Sequence, residues 1–127
     1  MTSDGVAIAR DVLDRLEAGV AARDLAALTD LFADEAVLFG TARANFEPDE
    51  VGDYLRLVVE AGSVRWFLDR WSVIHHDGDQ LLVAASGEVE TDAGDGPERS
   101  DFRLSLWLLH VGDTWKISHF HGSVPEA

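Results

Sequence analysis

The spacing of apolar residues in the first half of the chain predicts three helices. Between Val6 and Val20 they recur every three or four positions, as on one helical face, at Val6, Ala9, Val12, Leu13, Leu16 and Val20. A second, shorter helix follows Asp24, whose carboxylate can cap it, with Leu25, Leu28, Leu31 and Phe32 as its buried side. A third begins at Pro48 and ends at Gly62, with an apolar face of Val51, Tyr54, Leu55, Val58 and Val59.

The rest of the chain has the pattern of β-strands. The short apolar run Ala36–Thr41 predicts one strand before the third helix, followed by a loop up to Glu47. After Gly62, runs rich in Val, Leu, Trp and Thr predict four more, near Val64–His75, Gln80–Thr91, Arg99–Val111 and Trp115–His121. Their short connections imply antiparallel neighbours. We therefore predict one α+β domain over residues 1–127, in which three N-terminal helices cover one face of a curved antiparallel sheet.

The composition of the chain excludes several classes of binding partner and of chemistry. The 127 residues include 10 Lys+Arg and 24 Asp+Glu, which gives a net charge of −14. A nucleic-acid or anionic membrane surface needs clustered basic residues, whereas the sequence has one lysine, Lys116, and scattered arginines. The absence of cysteine from the sequence excludes disulfides, thiolate metal ligands and cysteine nucleophiles. No secretory signal or membrane span is recognisable, so we expect a cytoplasmic location.

Two segments carry a resemblance to a known superfamily. Ala22–Val37 has the pattern of a helix that leads into a strand, and Trp115–Ser123 reads WKISHFHGS. The first resembles the second helix and first strand of nuclear transport factor 2-like proteins, in particular their SnoaL-like branch. The second is similar to the last strand of the calcium/calmodulin-dependent protein kinase II association domain. The resemblance implies a cone-shaped fold that encloses a pocket between sheet and helices, and a homodimer formed through the sheet.

The resemblance leaves the activity open, because its members include isomerases, cyclases, hydrolases, dehydratases, ligand binders and oligomerisation domains. Ketosteroid isomerase-like members place an aspartate base on the first strand, where this chain has Leu38, Phe39 and Gly40. The kinase association domain directs arginines into its cavity from the middle strands, near positions that Ser86 and Ser105 occupy here. Neither chemistry transfers directly, so the candidate residues have to be considered one by one.

His119 and His121 are two residues apart on a predicted strand and therefore share a face. They fit an acid/base role, because histidine titrates near neutral pH. They also fit two ligands of a metal site that needs a third ligand, for example from the turn His75–Asp79. The interpretation we favour is structural, with hydrogen bonds to Ser123 or to the backbone. We predict no metal and no cofactor.

A second set of candidates alternates along the last two long strands. Arg103, Ser105 and Trp107 share one face, and Phe120 shares a face with Lys116 and Ser118. If these faces coincide and are concave, they provide a cavity that orients a carbonyl or carboxylate on an apolar ligand. Alternatively, the two basic residues of the set pair with acids on neighbouring strands, namely Glu88, Glu90 or Asp101.

Two further residues are candidates by their surroundings. Tyr54 lies on the apolar face of the third helix, where its hydroxyl can donate to a substrate oxygen or simply pack in the core. Asp69 lies in a strand rich in aromatic residues and is either a buried base with a raised pKa or the partner of Arg65 or another arginine in a salt bridge. The large side chains on both faces of this strand, Trp66, Phe67 and Trp71, indicate that both faces are covered, which favours a homodimer.

These observations support two hypotheses of different class. The first is a protein that binds a small apolar or polycyclic, carbonyl-containing molecule and converts it by acid/base chemistry without a cofactor, as in isomerisation, cyclisation or dehydration. In that hypothesis His119, His121 or Asp69 is the base, and the substrate contacts Tyr54, Arg103, Ser105, Trp107 and Phe120. The second is a non-catalytic module for ligand binding or oligomerisation, in which the histidines are architectural.

Overall fold

The structure is a computed structural model that describes residues 4–40 and 44–125. Its elements are three helices, α1 (Asp4–Ala21), α2 (Leu25–Asp30) and α3 (Pro48–Ala61), and six strands, β1 (Phe32–Phe39), β2 (Ala44–Asn45), β3 (Ser63–His76), β4 (Gln80–Asp92), β5 (Pro97–Val111) and β6 (Thr114–Ser123). Among the described residues, no helix is long and apolar enough to cross a membrane.

The strands form one sheet in the order β2-β1-β6-β5-β4-β3. All neighbours are antiparallel except β1 and β6, which are parallel. The last strand therefore lies inside the sheet, between the first strand and the long hairpins. This arrangement confirms the predicted α+β class. The two-residue strand β2 lies in the segment predicted to be a loop, whose residues 41–43 fall outside the described ranges.

The ends of the helices follow the capping residues in the sequence. The carboxylate of Asp24 accepts a hydrogen bond of 3.1 Å from the backbone N–H of Ala27 and so caps α2. Helix α3 begins with a capping box, in which the backbone N–H of Glu47 donates to Glu50 at 3.1 Å, and its C-cap is Gly62.

The boundary between α2 and β1 differs from the prediction. Helix α2 ends at Asp30, and Phe32 is the first residue of β1, four positions before the predicted start at Ala36. Phe32 pairs with Ile117 of β6, and the backbone N–H of Ile117 donates to the carbonyl of Leu31 at 2.8 Å. Pairing with a distant strand thus overrides the helical spacing that placed Phe32 in the helix.

The three helices pack on one face of the sheet, which we call the inner face; the opposite one is the outer face. Strand β5 shows the division through its alternation. Its inner-face residues are buried, namely Phe102, Leu104, Leu106 and Leu108. Its outer-face residues are polar or partly exposed, namely Arg103, Ser105, Trp107 and Leu109.

A β-bulge in β6 decides which of its side chains belong to each face. Trp107 pairs with His119, but the next residue of β5, Leu108, pairs with Ile117, so Ser118 is an extra residue in β6. Ile117 and Phe120 are consequently both buried on the inner face, although they are three positions apart. His119 and His121 pair with Trp107 and Ser105 and lie on the outer face.

Candidate functional site: an interior cavity

A cavity of about 460 Å³ lies between α1, α3 and the inner face of the sheet. This volume is within the range typical of small-molecule sites. Aliphatic side chains from both helices and from the strands provide most of its wall, namely Leu16, Val20, Leu38, Leu55, Val58, Val64 and Val89. The helices and the sheet thus enclose an apolar chamber.

Three aromatic rings from three different strands form one side of the cavity. Trp66 of β3 lies with its ring centroid 6.4 Å from that of Phe102 and 6.1 Å from that of Phe120. Gly122 makes room for this packing, because a Cβ atom there would lie 2.5 Å from the tip of the Phe102 ring. The absence of a side chain at this position is therefore a steric requirement of the aromatic wall.

The described polar side chains of the cavity wall are the hydroxyls of Tyr54, Ser63, Thr91 and Ser100 and the indole N–H of Trp66. The hydroxyl of Tyr54 lies against the backbone of Gly40, where a Cβ atom would collide with it. Among the described residues that line the cavity, none has a carboxylate, imidazole, amine or guanidinium group. The described lining of the cavity is therefore largely apolar and uncharged, with a small number of hydrogen-bonding groups.

Trp66 also links the cavity wall to helix α1 through a hydrogen bond. Its backbone N–H donates to the carboxylate of Glu17 at 2.6 Å. Burial raises the pKa of Glu17 above its usual value and outweighs the opposite effect of the hydrogen bond from Trp66. The indole N–H of Trp66 is buried and finds no acceptor among the described residues. A buried donor without an acceptor is costly, and this one belongs to a residue of the cavity wall.

The family model of the SnoaL-like domain matches residues 9–127, nearly the whole chain. The chain belongs to the SnoaL-like family. This confirms the resemblance that the segments Ala22–Val37 and Trp115–Ser123 carry. A comparison with curated protein sequences finds no match.

Solved structures confirm the fold. A proposed dehydratase of the NTF2-like family from Streptomyces avermitilis superposes with a TM-score of 0.80 at 17% identity, over 96% of both chains. A proposed calcium/calmodulin dependent protein kinase II association domain from Xanthomonas campestris gives a TM-score of 0.78 at 18% identity, over 94% of this chain and 87% of that one. A ketosteroid isomerase-like protein from Erwinia carotovora gives 0.65 at 16% identity, over 99% of this chain and 100% of that one. At these identities the likeness establishes the fold alone.

The SnoaL-like domain places two of the predicted site residues in the cavity, Tyr54 and Phe120. The prediction that Phe120 could share a face with Arg103, Ser105 and Trp107 is wrong. The extra residue Ser118 shifts the pairing by one position, and a shift of one residue exchanges the two faces of a strand. All three residues lie on the outer face, away from the cavity.

His119 and His121 are likewise on the outer face of the SnoaL-like domain. His119 Nδ1–H donates to the backbone carbonyl of Val37 at 2.9 Å, which supports the structural interpretation of this residue. Phe39 packs edge-on against both imidazoles, with ring centroids 5.2 and 5.5 Å away. The described residues contain no group of three His, Asp or Glu that could hold a metal ion.

The turn considered as the source of a third ligand is occupied by local contacts. His75 Nε2 lies 2.8 Å from a carboxylate oxygen of Asp77. The backbone N–H of Asp79, the imidazole of His75 and the backbone N–H of Gln80, in decreasing order, lower the pKa of Asp77 to about 2. The histidine and the aspartate therefore stabilise the β3-β4 turn.

Asp69 is exposed, so the expectation of a base buried in an apolar pocket is wrong. The pairing of β3 with β4 shifts between Leu68 and Arg70, and Asp69 is the extra residue at this bulge. The alternative of a salt bridge with Arg65 is also absent among the described contacts. The guanidinium of Arg65 lies 5.0 Å from the ring centroid of Phe67 instead.

The alternative partners proposed for Arg103 and Lys116 are wrong as well. Glu88 and Glu90 both pair with Arg99, at 3.4 and 3.2 Å. Lys116 pairs at 3.3 Å with Asp30, at the end of α2. In the described part of the chain, Arg103 therefore has no carboxylate within salt-bridge distance.

Sequence reasoning missed most of the cavity wall of the SnoaL-like domain, including Trp66 and Phe102. Trp66, one of the large side chains from which we predict that both faces of this strand are covered, lies on the face that lines the cavity. The sequence carries no clear signal for the correct faces. Ile117 and Phe120 are three positions apart and would lie on opposite faces of a regular strand, so only their common burial in the structure reveals the bulge.

Proposed function

We propose that this SnoaL-like domain binds a small, neutral, mainly apolar molecule that carries a hydrogen-bond acceptor, such as a ketone. The observation that carries the proposal is the cavity of about 460 Å³, whose described lining is uncharged and largely aliphatic and aromatic. Transfer of an apolar ligand from water into such a chamber contributes roughly 25 cal/mol for each Å² of apolar surface buried.

The chemistry of the same lining residues also indicates the charge of the ligand. A buried ionic group needs a partner of opposite charge, because desolvation without one is very costly. The described lining offers hydroxyls but no charged side chain. A neutral ligand is therefore favoured over a carboxylate or an ammonium ion.

The acceptor on the ligand follows from one unpaired donor. The indole N–H of Trp66 belongs to a residue of the wall and has no acceptor among the described residues. A carbonyl oxygen can accept a hydrogen bond from such a donor, which adds a directional contact to an otherwise apolar site. A few polar groups in an apolar pocket are what orients a small ligand.

Binding is better supported than acid/base conversion. The predicted bases His119, His121 and Asp69 all lie outside the cavity, and Tyr54 is the one titratable side chain among its described lining residues. General acid/base catalysis requires the base within hydrogen-bonding reach of the proton that it removes. Retention of a ligand needs no such group.

The experiment is a fluorescence titration with the neutral apolar probe N-phenyl-1-naphthylamine. We expect saturable binding by the wild-type protein, and loss of binding in Val58→Trp, because Val58 lines the cavity and the larger side chain fills it. The matched control is Leu57→Trp, since Leu57 is next to it on α3 but is 47% exposed and outside the cavity. Circular dichroism of both variants checks that the fold is intact.

If Val58→Trp does not fold, Ala61→Phe provides a second filling variant at the cavity wall. Equal binding by the filled and control variants would contradict the proposal. Failure of the wild-type protein to bind the probe, together with a stable dimer in sedimentation equilibrium, would favour the oligomerisation module instead. The homodimer and the cytoplasmic location themselves stay predictions.

A further inference from the structure

Two long side chains of α1 hold the edge of the sheet beside the cavity. Among the described strands, β3 is last in the sheet and pairs with β4, so one side of its backbone faces no other described strand. The guanidinium of Arg10 donates to the carbonyl of Leu68 at 2.8 Å, and the carboxylate of Glu17 accepts from the backbone N–H of Trp66 at 2.6 Å. We call these two contacts the α1 clasp.

The spacing of these residues explains why one helix makes both contacts. Arg10 and Glu17 are seven residues apart, which is about two helical turns, so they lie on the same side of α1. Trp66 and Leu68 are two residues apart in β3, so their backbone groups point to the same edge of the strand. The later residue of α1 contacts the earlier residue of β3. The helix therefore runs antiparallel to the strand along this edge.

The α1 clasp lies at the part of β3 that contributes to the cavity wall. Trp66 lines the cavity together with Leu16 and Val20, which lie on either side of Glu17 along α1, whereas Glu17 itself is outside the lining. After Leu68 the regular pairing of β3 with β4 is interrupted by the bulge. The clasp thus fixes the regular stretch of the edge strand that carries the Trp66 ring.

We propose that Glu17 is a positioning residue of the cavity, which holds Trp66 in the wall through its backbone and thereby couples ligand affinity to its own ionisation. This inference rests on the proposed binding function, because it concerns the wall of the same cavity. An ionised carboxylate is a stronger hydrogen-bond acceptor than a neutral carboxyl group. The wall is therefore held most firmly when Glu17 is ionised, and ligand affinity falls when Glu17 is protonated.

The groups around Glu17 raise the pH at which it ionises. Burial is the largest influence and raises its pKa, the hydrogen bond from Trp66 lowers it, the carboxylate of Asp14 raises it, and the guanidinium of Arg65 lowers it. Arg10 lies in the same small space between helix and strand. By linkage, a ligand that binds better to the ionised form must lower the pKa of Glu17 when it binds.

The first experiment is a fluorescence titration with N-phenyl-1-naphthylamine at pH 7 and at the lowest pH where circular dichroism shows a folded protein. The Kd of the wild-type protein is expected to rise as the pH falls. Glu17→Gln keeps only a neutral acceptor, so it should raise the Kd about threefold at pH 7 and remove the pH dependence. The matched control is Glu35→Gln, at an exposed carboxylate of β1 outside the cavity lining, and it should behave like the wild-type protein.

Nuclear magnetic resonance spectroscopy of isotope-labelled protein measures the α1 clasp directly. The amide proton of Trp66 is expected to shift with the ionisation of Glu17, and this titration should be absent in Glu17→Gln. The midpoint should move to lower pH when the probe binds. Without the probe, Asp14→Asn should also lower the midpoint, because it removes a neighbouring negative charge.

A double-mutant cycle separates positioning from general stabilisation. Trp66→Leu removes the ring but keeps the backbone N–H that binds Glu17, so the effect of Glu17→Gln on the Kd should disappear in this background. An unchanged effect there, or a Glu17→Gln variant with the Kd and pH dependence of the wild-type protein, would overturn the proposal. If Trp66→Leu does not fold, the pH profile of Glu17→Gln decides. Absence of probe binding by the wild-type protein would contradict the proposed function and this coupling with it, whereas binding without coupling would overturn only the latter.

Discussion

The two faces of the same sheet differ sharply in chemistry. The inner face encloses a cavity with an uncharged described lining, whereas the outer face bears a groove with two arginines and a histidine. Adjacent residues belong to opposite sites: Phe102 and Phe120 line the cavity, and Arg103 and His121 line the groove. A strand turns successive side chains to opposite faces, so residues that are neighbours in sequence can line different concavities.

This difference shows that the residues of one strand motif need not all belong to the same site. The segment Trp115–Ser123 resembles a single family motif, but it contributes Phe120 to one concavity and His121 to the other. The predicted acid/base hypothesis joined these residues into one site.

The largest expected difference between the faces is in stability. Phe120 is 7% exposed, so Phe120→Ala is expected to lower the free energy of unfolding by about 3–5 kcal/mol, while its neighbour His121→Ala changes it by no more than about 0.5 kcal/mol. Urea unfolding of both variants measures this. If Phe120→Ala does not fold, Phe120→Leu gives a smaller loss in the same direction. Equal losses at the two positions would contradict the assignment of faces.

The next largest effect on stability is expected from steric crowding at Gly122 on the inner face. Gly122→Ala places a methyl group 2.5 Å from the Phe102 ring and is expected to cost about 1–3 kcal/mol, measured by thermal or urea unfolding. Gly78 in the β3-β4 turn has no heavy atom within 4 Å of such a methyl group. The control Gly78→Ala should therefore leave stability unchanged or raise it by up to about 1 kcal/mol.

A smaller effect concerns ligand choice in the cavity. Tyr54→Phe is expected to weaken binding of the ketone 2-acetylnaphthalene by about threefold to tenfold, because it removes one hydrogen-bond donor. Binding of 2-ethylnaphthalene, which has a similar shape but no carbonyl group, should not change. Competition with the fluorescent probe measures both affinities. An equal loss for both ligands would mean that Tyr54 contributes packing rather than a directed hydrogen bond.

The smallest expected effect is the pH dependence at the rim of the inner face. The pKa of Glu17 is raised in the folded protein, so the folded state binds more protons than the unfolded state and stability falls as pH rises through that pKa. Glu17→Gln should therefore be more stable than the wild-type protein at pH 7, by up to about 0.5 kcal/mol. The gain should vanish at a pH below the ordinary carboxyl pKa. Urea unfolding at both pH values tests the sign.

Most of the fold could be predicted because the helices and long strands have clear periods and end signals. Asp24, Pro48 and Gly62 marked helix ends correctly, and the glycine and aspartate turns separated the strands. The start of β1 could not be predicted in this way. Phe32 completes a helical spacing in the sequence, and only its pairing with Ile117 of β6 draws it into the sheet.

The candidate site was less accessible to sequence reasoning, because faces depend on register. Tyr54 lies on the apolar face of its helix, as the spacing predicts, and belongs to the cavity lining. The assignments of Arg103, Ser105 and Trp107 relative to Phe120 depended on the register of β5 with β6, and Asp69 depended on that of β3 with β4. Each pairing contains an irregularity, and one extra residue is enough to exchange inside and outside.

The bulge at Ser118 has a consequence for how this protein can diverge. It accommodates one extra residue, Ser118, so that two residues lie between Ile117 and Phe120 while both remain on the inner face. A deletion of Ser118 would restore regular alternation and leave Ile117 and Phe120 inside and His119 and His121 outside. Loss of this one residue would therefore change the outer face, while the two buried side chains would remain in the interior.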